Sequence, residues 1–205
     1  MAFLNDSEKQ RIAAAIAAAE QQTRGELVTV ITRCSDGYRY IPLLWAALLA
    51  LLVPAILAVF GNPLPGDLAY LAQICTFLGA AALFNWLPLK MRLIPPGVKR
   101  MRARRLAREQ FSLQNLHRTR ERTGVLLFVS VAEHYVEIIA DEGINEVVAP
   151  QAWESIVSGF IGRVRNRQVA EGFLAAIAAC RELLADHFPA TDDNRNELPN
   201  HLVEL

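Results

Sequence analysis

Two stretches of the chain carry no charged side chain: residues 41–60, IPLLWAALLALLVPAILAVF, and residues 68–89, LAYLAQICTFLGAAALFNWLPL. A helix needs roughly 20 apolar residues to cross a bilayer core, and each run supplies them. Between the runs, GNPLPGD at 61–67 holds two Gly and two Pro, which predicts a tight turn. The pattern therefore predicts a two-helix transmembrane hairpin over residues 41–89. Pro54 marks a kink that a neighbouring helix accommodates. Tyr40, Trp45, Tyr70 and Trp86 fall near the span ends, where aromatic rings favour the interface. Gly79 with Ala80, Ala81 and Ala82 is expected to let the two backbones approach closely.

Outside the hairpin the period changes. Asn5, followed three positions later by Glu8, is a capping-box signal. Behind it Ile12 and Ile16, with Ala15 and Ala19, form an apolar stripe at helical spacing. Gly25 stops that helix, and ELVTVITR at 26–33 reads as a strand rich in β-branched residues. After the hairpin and a basic helix, GVLLFVSV at 124–131 is nearly continuous in apolar residues, as for a central strand buried on both faces. A short turn at 132–134 leads to a hairpin partner, YVEIIAD at 135–141. From Trp153 onward two helical stripes follow, one through Ile156, Val157 and Phe160, the other through Phe173, Leu174, Ile177, Cys180, Leu183 and Leu184. One strand before the insertion cannot fold alone. The expectation is a single α/β layer domain, split in sequence and joined in space. Residues 1–40 form its first part and residues 124–189 its second. Residues 41–89 are the hairpin and residues 90–123 a basic juxtamembrane arm. Residues 190–205 are a polar tail, partly ordered at most.

Charge changes the picture more than composition does. The mean hydropathy of +0.21 and the zero net charge conceal a strong asymmetry. Residues 90–123 carry eleven bases against Glu109 and Glu121, about +9, whereas residues 124–205 carry thirteen acids against five bases, about −8. The first eight bases, Lys90, Arg92, Lys99, Arg100, Arg102, Arg104, Arg105 and Arg108, meet no acid before Glu109. The positive-inside rule places that arm, and with it both termini, in the cytoplasm of a two-span inner-membrane protein. The arm is expected to lie against anionic lipid headgroups, with docking on the acidic C-terminal part as a compatible second role. Nucleic acid is not an expected partner, since aromatic interleaving stops at Phe111.

The remaining residues exclude several chemistries. Cys34, Cys75 and Cys180 are too scattered for a disulfide framework or a zinc site. His117, His134, His187 and His201 form no ligand pair, and the chain has no P-loop, no G-x-G-x-x-G and no G-x-S-x-G elbow. Asp141 and Glu142 precede Gly143, and a carboxylate pair at a glycine turn can begin a site for a hard cation. The plainer reading of the pair is a polar strand-to-loop junction. Asp36 is placed near Glu133 if the first two strands run parallel.

TRGELVTVI after a capped Ala-rich helix, then RTRERTGVLLFVSVAEHYVEIIADEGI, RNRQVAEGFLAAI and HFP together resemble the TPM domain over residues 5–33 and 118–189. With a membrane hairpin between the first two strands and NELP near the end, the chain looks like a bacterial subgroup of membrane proteins. The resemblance implies a TPM-like α/β/α sandwich with a small mixed sheet, interrupted by the two-helix hairpin. It also implies calcium, which some relatives bind and for which Asp141 and Glu142 are the candidates here, and acid phosphatase activity, assigned to some plant relatives. The expected function is a membrane-anchored interaction or accessory module that binds a protein partner. The alternative is a metal-dependent, phosphatase-like hydrolase.

Overall fold

The computed structural model describes residues 4–61, 65–191, 198–199 and 202–205. Residues 62–64 of the expected turn, and 192–197, 200 and 201 of the expected tail, lie outside the described residues. In chain order the elements are α1 (Asp6–Glu20), β1 (Glu26–Thr32), α2 (Tyr40–Val59), α3 (Gly66–Phe84), α4 (Leu87–Leu93) and α5 (Pro96–Leu113). A 3₁₀ turn (Leu116–Arg118) precedes β2 (Gly124–Ser130) and β3 (Tyr135–Ala140). Then come α6 (Glu142–Asn145), α7 (Pro150–Arg165), α8 (Val169–His187) and β4 (Leu202–Glu204). They divide into two compact units, Met1–Ser35 with Arg102–Leu205, and Asp36–Met101.

The first unit is an α/β/α sandwich. Asn5 caps α1 reciprocally: its Oδ1 accepts from Glu8 N at 2.8 Å, and its own N–H donates to Glu8 Oε2 at 2.8 Å. β1 and β2 run parallel, with Glu26 opposite Gly124 and Thr32 opposite Ser130. Every residue of both strands is buried, as a sheet covered on both faces requires. β3 pairs antiparallel with β2, giving the order β3-β2-β1-β4.

Side-chain alternation divides the sheet between two helix layers. Leu27, Ile31, Leu127 and Val129 pack with Ile12 and Ile16 of α1, Phe160 of α7, and Phe173, Ile177 and Leu184 of α8. Val28, Val30, Leu126 and Phe128 meet Ala103 and Ala107 of α5 on the opposite face. Two alanines one turn apart let the helix backbone lie close to the strands. From Arg102 onward, then, α5 carries a buried apolar stripe as well as a basic outer face.

The tail departs from expectation. Leu202–Glu204 forms β4, parallel to β1, with Thr29 opposite Leu202 and Ile31 opposite Glu204. Lys9 Nζ donates to Glu204 Oε2 at 2.9 Å and joins the new edge to α1. That hydrogen bond is the main cause holding the Lys9 ammonium above its ordinary pKa. Three residues are too few to show a period of two, so this strand had no local signature.

The second unit contains α2 and α3, packed on each other, followed by α4. α2 buries Pro42, Ala46 and Ala50, one every fourth residue, and α3 buries Ala80. A Cβ added at Gly79 would meet nothing within 4 Å. The close seam is therefore made by alanines, and Gly79 takes no part in it. The second apolar helix stops at Phe84, short of the apolar run's end at Leu89. Pro88 stands in the first turn of α4, where a missing N–H costs nothing. Both α2 and α3 are long and apolar enough to cross a membrane, with mean hydropathies of 2.5 and 1.5. Only 22% and 6% of those windows is buried, unlike a core helix of a water-soluble fold.

Candidate functional site

In open α/β sheets, ligands bind beyond the carboxyl ends of parallel strands. Here those ends are Thr32 and Ser130, directly opposite each other. The pairing continues past them, with Val131 N donating to Thr32 O and Ala132 N to Arg33 O, both at 3.0 Å. This brings two sequence-distant turns together. Glu133, 8% exposed, reaches across them. Its Oε1 accepts from Ser35 N at 2.9 Å and from Cys34 Sγ at 3.3 Å. Its Oε2 accepts from Ser130 Oγ, and Ser35 Oγ donates to Ser130 Oγ at 2.7 Å. A carboxylate beside a hydroxyl and a thiol has the composition of an activated nucleophile. Ser130, however, is 1% exposed, and its hydroxyl is held between Glu133 and Ser35. The arrangement works as a clamp joining the β1 and β2 ends. Glu133→Ala leaves the Ser35 N–H and the Ser130 hydroxyl without their acceptor. It is expected to destabilise the chain by about 1–3 kcal/mol, measured as a lower thermal midpoint. An unchanged midpoint would mean that water replaces the carboxylate at no cost.

The parallel arrangement of β1 and β2 meets the condition attached to Asp36 and Glu133, yet the two carboxylates are engaged locally. Asp36 Oδ1 accepts from Tyr38 N at 3.0 Å, whereas Glu133 holds Ser35, Cys34 and Ser130. Ser35, Ser130 and Cys34 carried no motif. The one signal available was Glu133 in the turn after a buried strand.

At the opposite end of β2, Asp141 N donates to Gly124 O at 2.9 Å. Asp141 Oδ1 caps α6 by accepting from Glu142 N at 2.8 Å. Its Oδ2 is buried and has no hydrogen-bond partner. Glu142 forms an ion pair with Arg122. No group of three or more His, Cys, Asp or Glu side chains converges on one point among the described residues. Calcium takes six to eight oxygens. Asp141 supplies one uncommitted oxygen, and Glu142 is committed to Arg122, so these side chains do not by themselves make up that set.

The basic arm is distributed over both units. In the hairpin unit, Lys90 Nζ donates to Gly37 O, Arg92 and Arg100 are exposed, and Lys99 is half-buried. In the sandwich unit, Arg102 is half-buried, and Arg104, Arg105 and Arg108 are exposed. Arg104 Nε lies 3.6 Å from Glu137 Oε1 of β3, a contact between the arm and the acidic part of the chain. Glu137 Oε2 also accepts from Tyr135 OH at 2.9 Å. Burial first, and then that acceptor, raise the Tyr135 phenol above its ordinary pKa. Cys34, Cys75 and Cys180 are in no disulfide. Burial pushes the Cys180 thiol up to about 12, so it stays protonated and unreactive at neutral pH.

A cavity of about 500 Å³ opens beside Ser130, between the sheet and α7.

A family model described as the TPM domain matches residues 96–183, from the start of α5 through most of α8. Over those residues, fewer than half of its length, the chain is similar to that domain. Comparison with curated proteins finds no match. Among solved structures, the NMR structure of BA42 protein from the psychrophilic bacterium Bizionia argentinensis is similar, at 20% sequence identity and a TM-score of 0.64. That alignment covers 100% of this chain and 97% of the other, and what it shows is a shared fold.

Proposed function

We propose that this chain is a membrane-anchored accessory module. The α2–α3 hairpin spans the bilayer, and the TPM sandwich is presented on the cytoplasmic face for a protein partner. The observation that carries the reading is the exposure of the hairpin's large side chains. Leu51 is 63% exposed, Leu52 53%, Leu71 58% and Leu78 61%. A dozen Leu and Ile side chains of α2 and α3 share this condition. Burying such a side chain completely stabilises by about 2 kcal/mol, and these are about half exposed, so leaving them in water forgoes on the order of 10 kcal/mol. A domain's net stability is only about 5–15 kcal/mol. A hydrocarbon environment removes that cost.

Orientation follows from the cations after the second span. Lys90, Arg92, Lys99 and Arg100 follow α3 closely, and the connection between the spans contains no Lys or Arg. Each well-placed cation contributes about 1 kcal/mol against an anionic cytoplasmic leaflet. A fluorescent reporter fused after Leu205 is expected to fluoresce in the membrane fraction of bacterial cells. A phosphatase reporter active only outside the cytoplasm is expected to stay silent at the same position. The reverse result overturns the orientation, and recovery of the chain in the soluble fraction without detergent overturns the anchoring.

A further inference from the structure

The cavity beside Ser130 lies wholly within the sandwich unit and has a one-sided chemistry. Its wall is mostly apolar, with Ile31, Val129 and Val136 from the sheet and Phe160, Val164 and Val169 from the helices. Its volume of about 500 Å³ falls in the range of small-molecule sites, roughly 300–1,000 Å³. The ionisable residues on it are His134, Tyr135 and Arg165, and no Asp or Glu lines it. The Tyr135 hydroxyl is already bonded to Glu137. The Arg165 guanidinium has no ion pair or side-chain hydrogen bond among the described residues.

Arg165 also lines a second, open groove of about 660 Å³ between β3 and α7. That groove carries Glu137 and Glu154, which repel an anion. A ligand with a negative head therefore finds its cation at the cavity side. A planar guanidinium with free donors matches a carboxylate in bidentate fashion.

We propose that this cavity binds a medium-chain acyl carboxylate. Arg165 holds the head at the mouth, and the apolar chain fills the space between Ile31, Val136, Phe160 and Val164. The hairpin plays no part in this argument, so the site stands or falls independently of the membrane reading.

The test is photo-crosslinking of the full chain, reconstituted in zwitterionic lipid nanodiscs, with a ten-carbon carboxylate bearing a diazirine on its chain. Labelled peptides are expected from residues 129–136 and 160–169, with unlabelled decanoate competing and decanol not competing. Arg165→Glu replaces attraction by repulsion and is expected to reduce labelling of those peptides about tenfold. Arg163→Glu, two positions away with its Nη1 on Gly159 O at 3.3 Å, is expected to leave labelling unchanged. Val164→Phe is expected to reduce labelling by filling the cavity. Should that variant misfold, the exposed Arg165 substitution still decides. Three results would each overturn the proposal: labelling confined to residues 40–84, labelling insensitive to Arg165→Glu, or equal labelling by the corresponding diazirine alcohol. Competition by an anionic phospholipid in place of decanoate would also reject the carboxylate, in favour of a lipid headgroup.

Discussion

Phe173→Ala is expected to lower the unfolding free energy of the sandwich by about 4 kcal/mol. Phe173 is fully buried in the layer between the sheet and α8. Its ring meets Phe160 of α7 edge-on, with centroids 5.1 Å apart and planes at 76°, a geometry that adds to simple burial. The site cannot collapse cheaply. A Cβ added at neighbouring Gly172 would already touch the Phe160 ring at 3.3 Å, so the two helices are held close. Amide hydrogen exchange in β2 gives the measurement, because those strand protons exchange through global opening. At 1.4 kcal/mol per decade, exchange should accelerate roughly a thousandfold. Phe60→Ala, at a side chain 81% exposed in the hairpin unit, should leave β2 exchange unchanged. A loss below about 1 kcal/mol for Phe173→Ala would mean that α7 and α8 do not pack as described.

The second large effect comes from two glycines that respond in opposite directions. A Cβ at Gly124 would stand 2.4 Å from the Leu116 carbonyl oxygen and 3.0 Å from its carbonyl carbon. The obstacle is backbone, which has no rotamer to yield. Gly124→Val is therefore expected to cost about 3 kcal/mol or more, the upper part of the range for overpacked cores. It should also separate the turn at Leu116–Arg118 from the first residue of β2. Gly162 lies within α7, and its added Cβ would meet nothing within 4 Å. Gly162→Ala should stabilise by roughly 0.5–1 kcal/mol, because glycine loses the most backbone entropy in a helix. Thermal unfolding of the two variants should move the midpoint in opposite directions. A tolerated Gly124→Val would show that residues 116–123 do not lie against β2.

Much of the architecture was written in local patterns. The charge-free runs announce α2 and α3, because apolar runs of about twenty residues bounded by turn signals are too long for strands and read as helices. The Asn5–Glu8 pair marks the start of α1 because the cap is made by neighbours in sequence. β2 and β3 show as a continuous apolar run and its hairpin partner. The TPM-like motifs lie in these same segments, and the α/β/α sandwich they implied is the fold observed. The break between Phe84 and Leu87 was hidden, because hydropathy continues across it while the helix does not. β4 was hidden because three residues carry no period.

The candidate sites were the least legible part. Asp141 and Glu142 drew notice as adjacent carboxylates, but adjacency says nothing about partners. One became a helix cap and the other an ion pair with Arg122. Glu133 joins Ser35 and Cys34 to Ser130, residues drawn from turns that residues 36–129 separate in the chain. Arg165 reaches the cavity only because α7 crosses the edge of the sheet near β3.

By itself the sequence determined α1, the first three strands, the apolar hairpin and the charge asymmetry, since each follows from interactions among residues a few positions apart. Tertiary structure alone decided the parallel pairing of β1 with β2, the fourth strand, the clamp at Glu133 and the place of Arg165 on the cavity wall. These depend on contacts between distant segments, whose cost in chain entropy is repaid only when the whole sheet and its two helix layers form together.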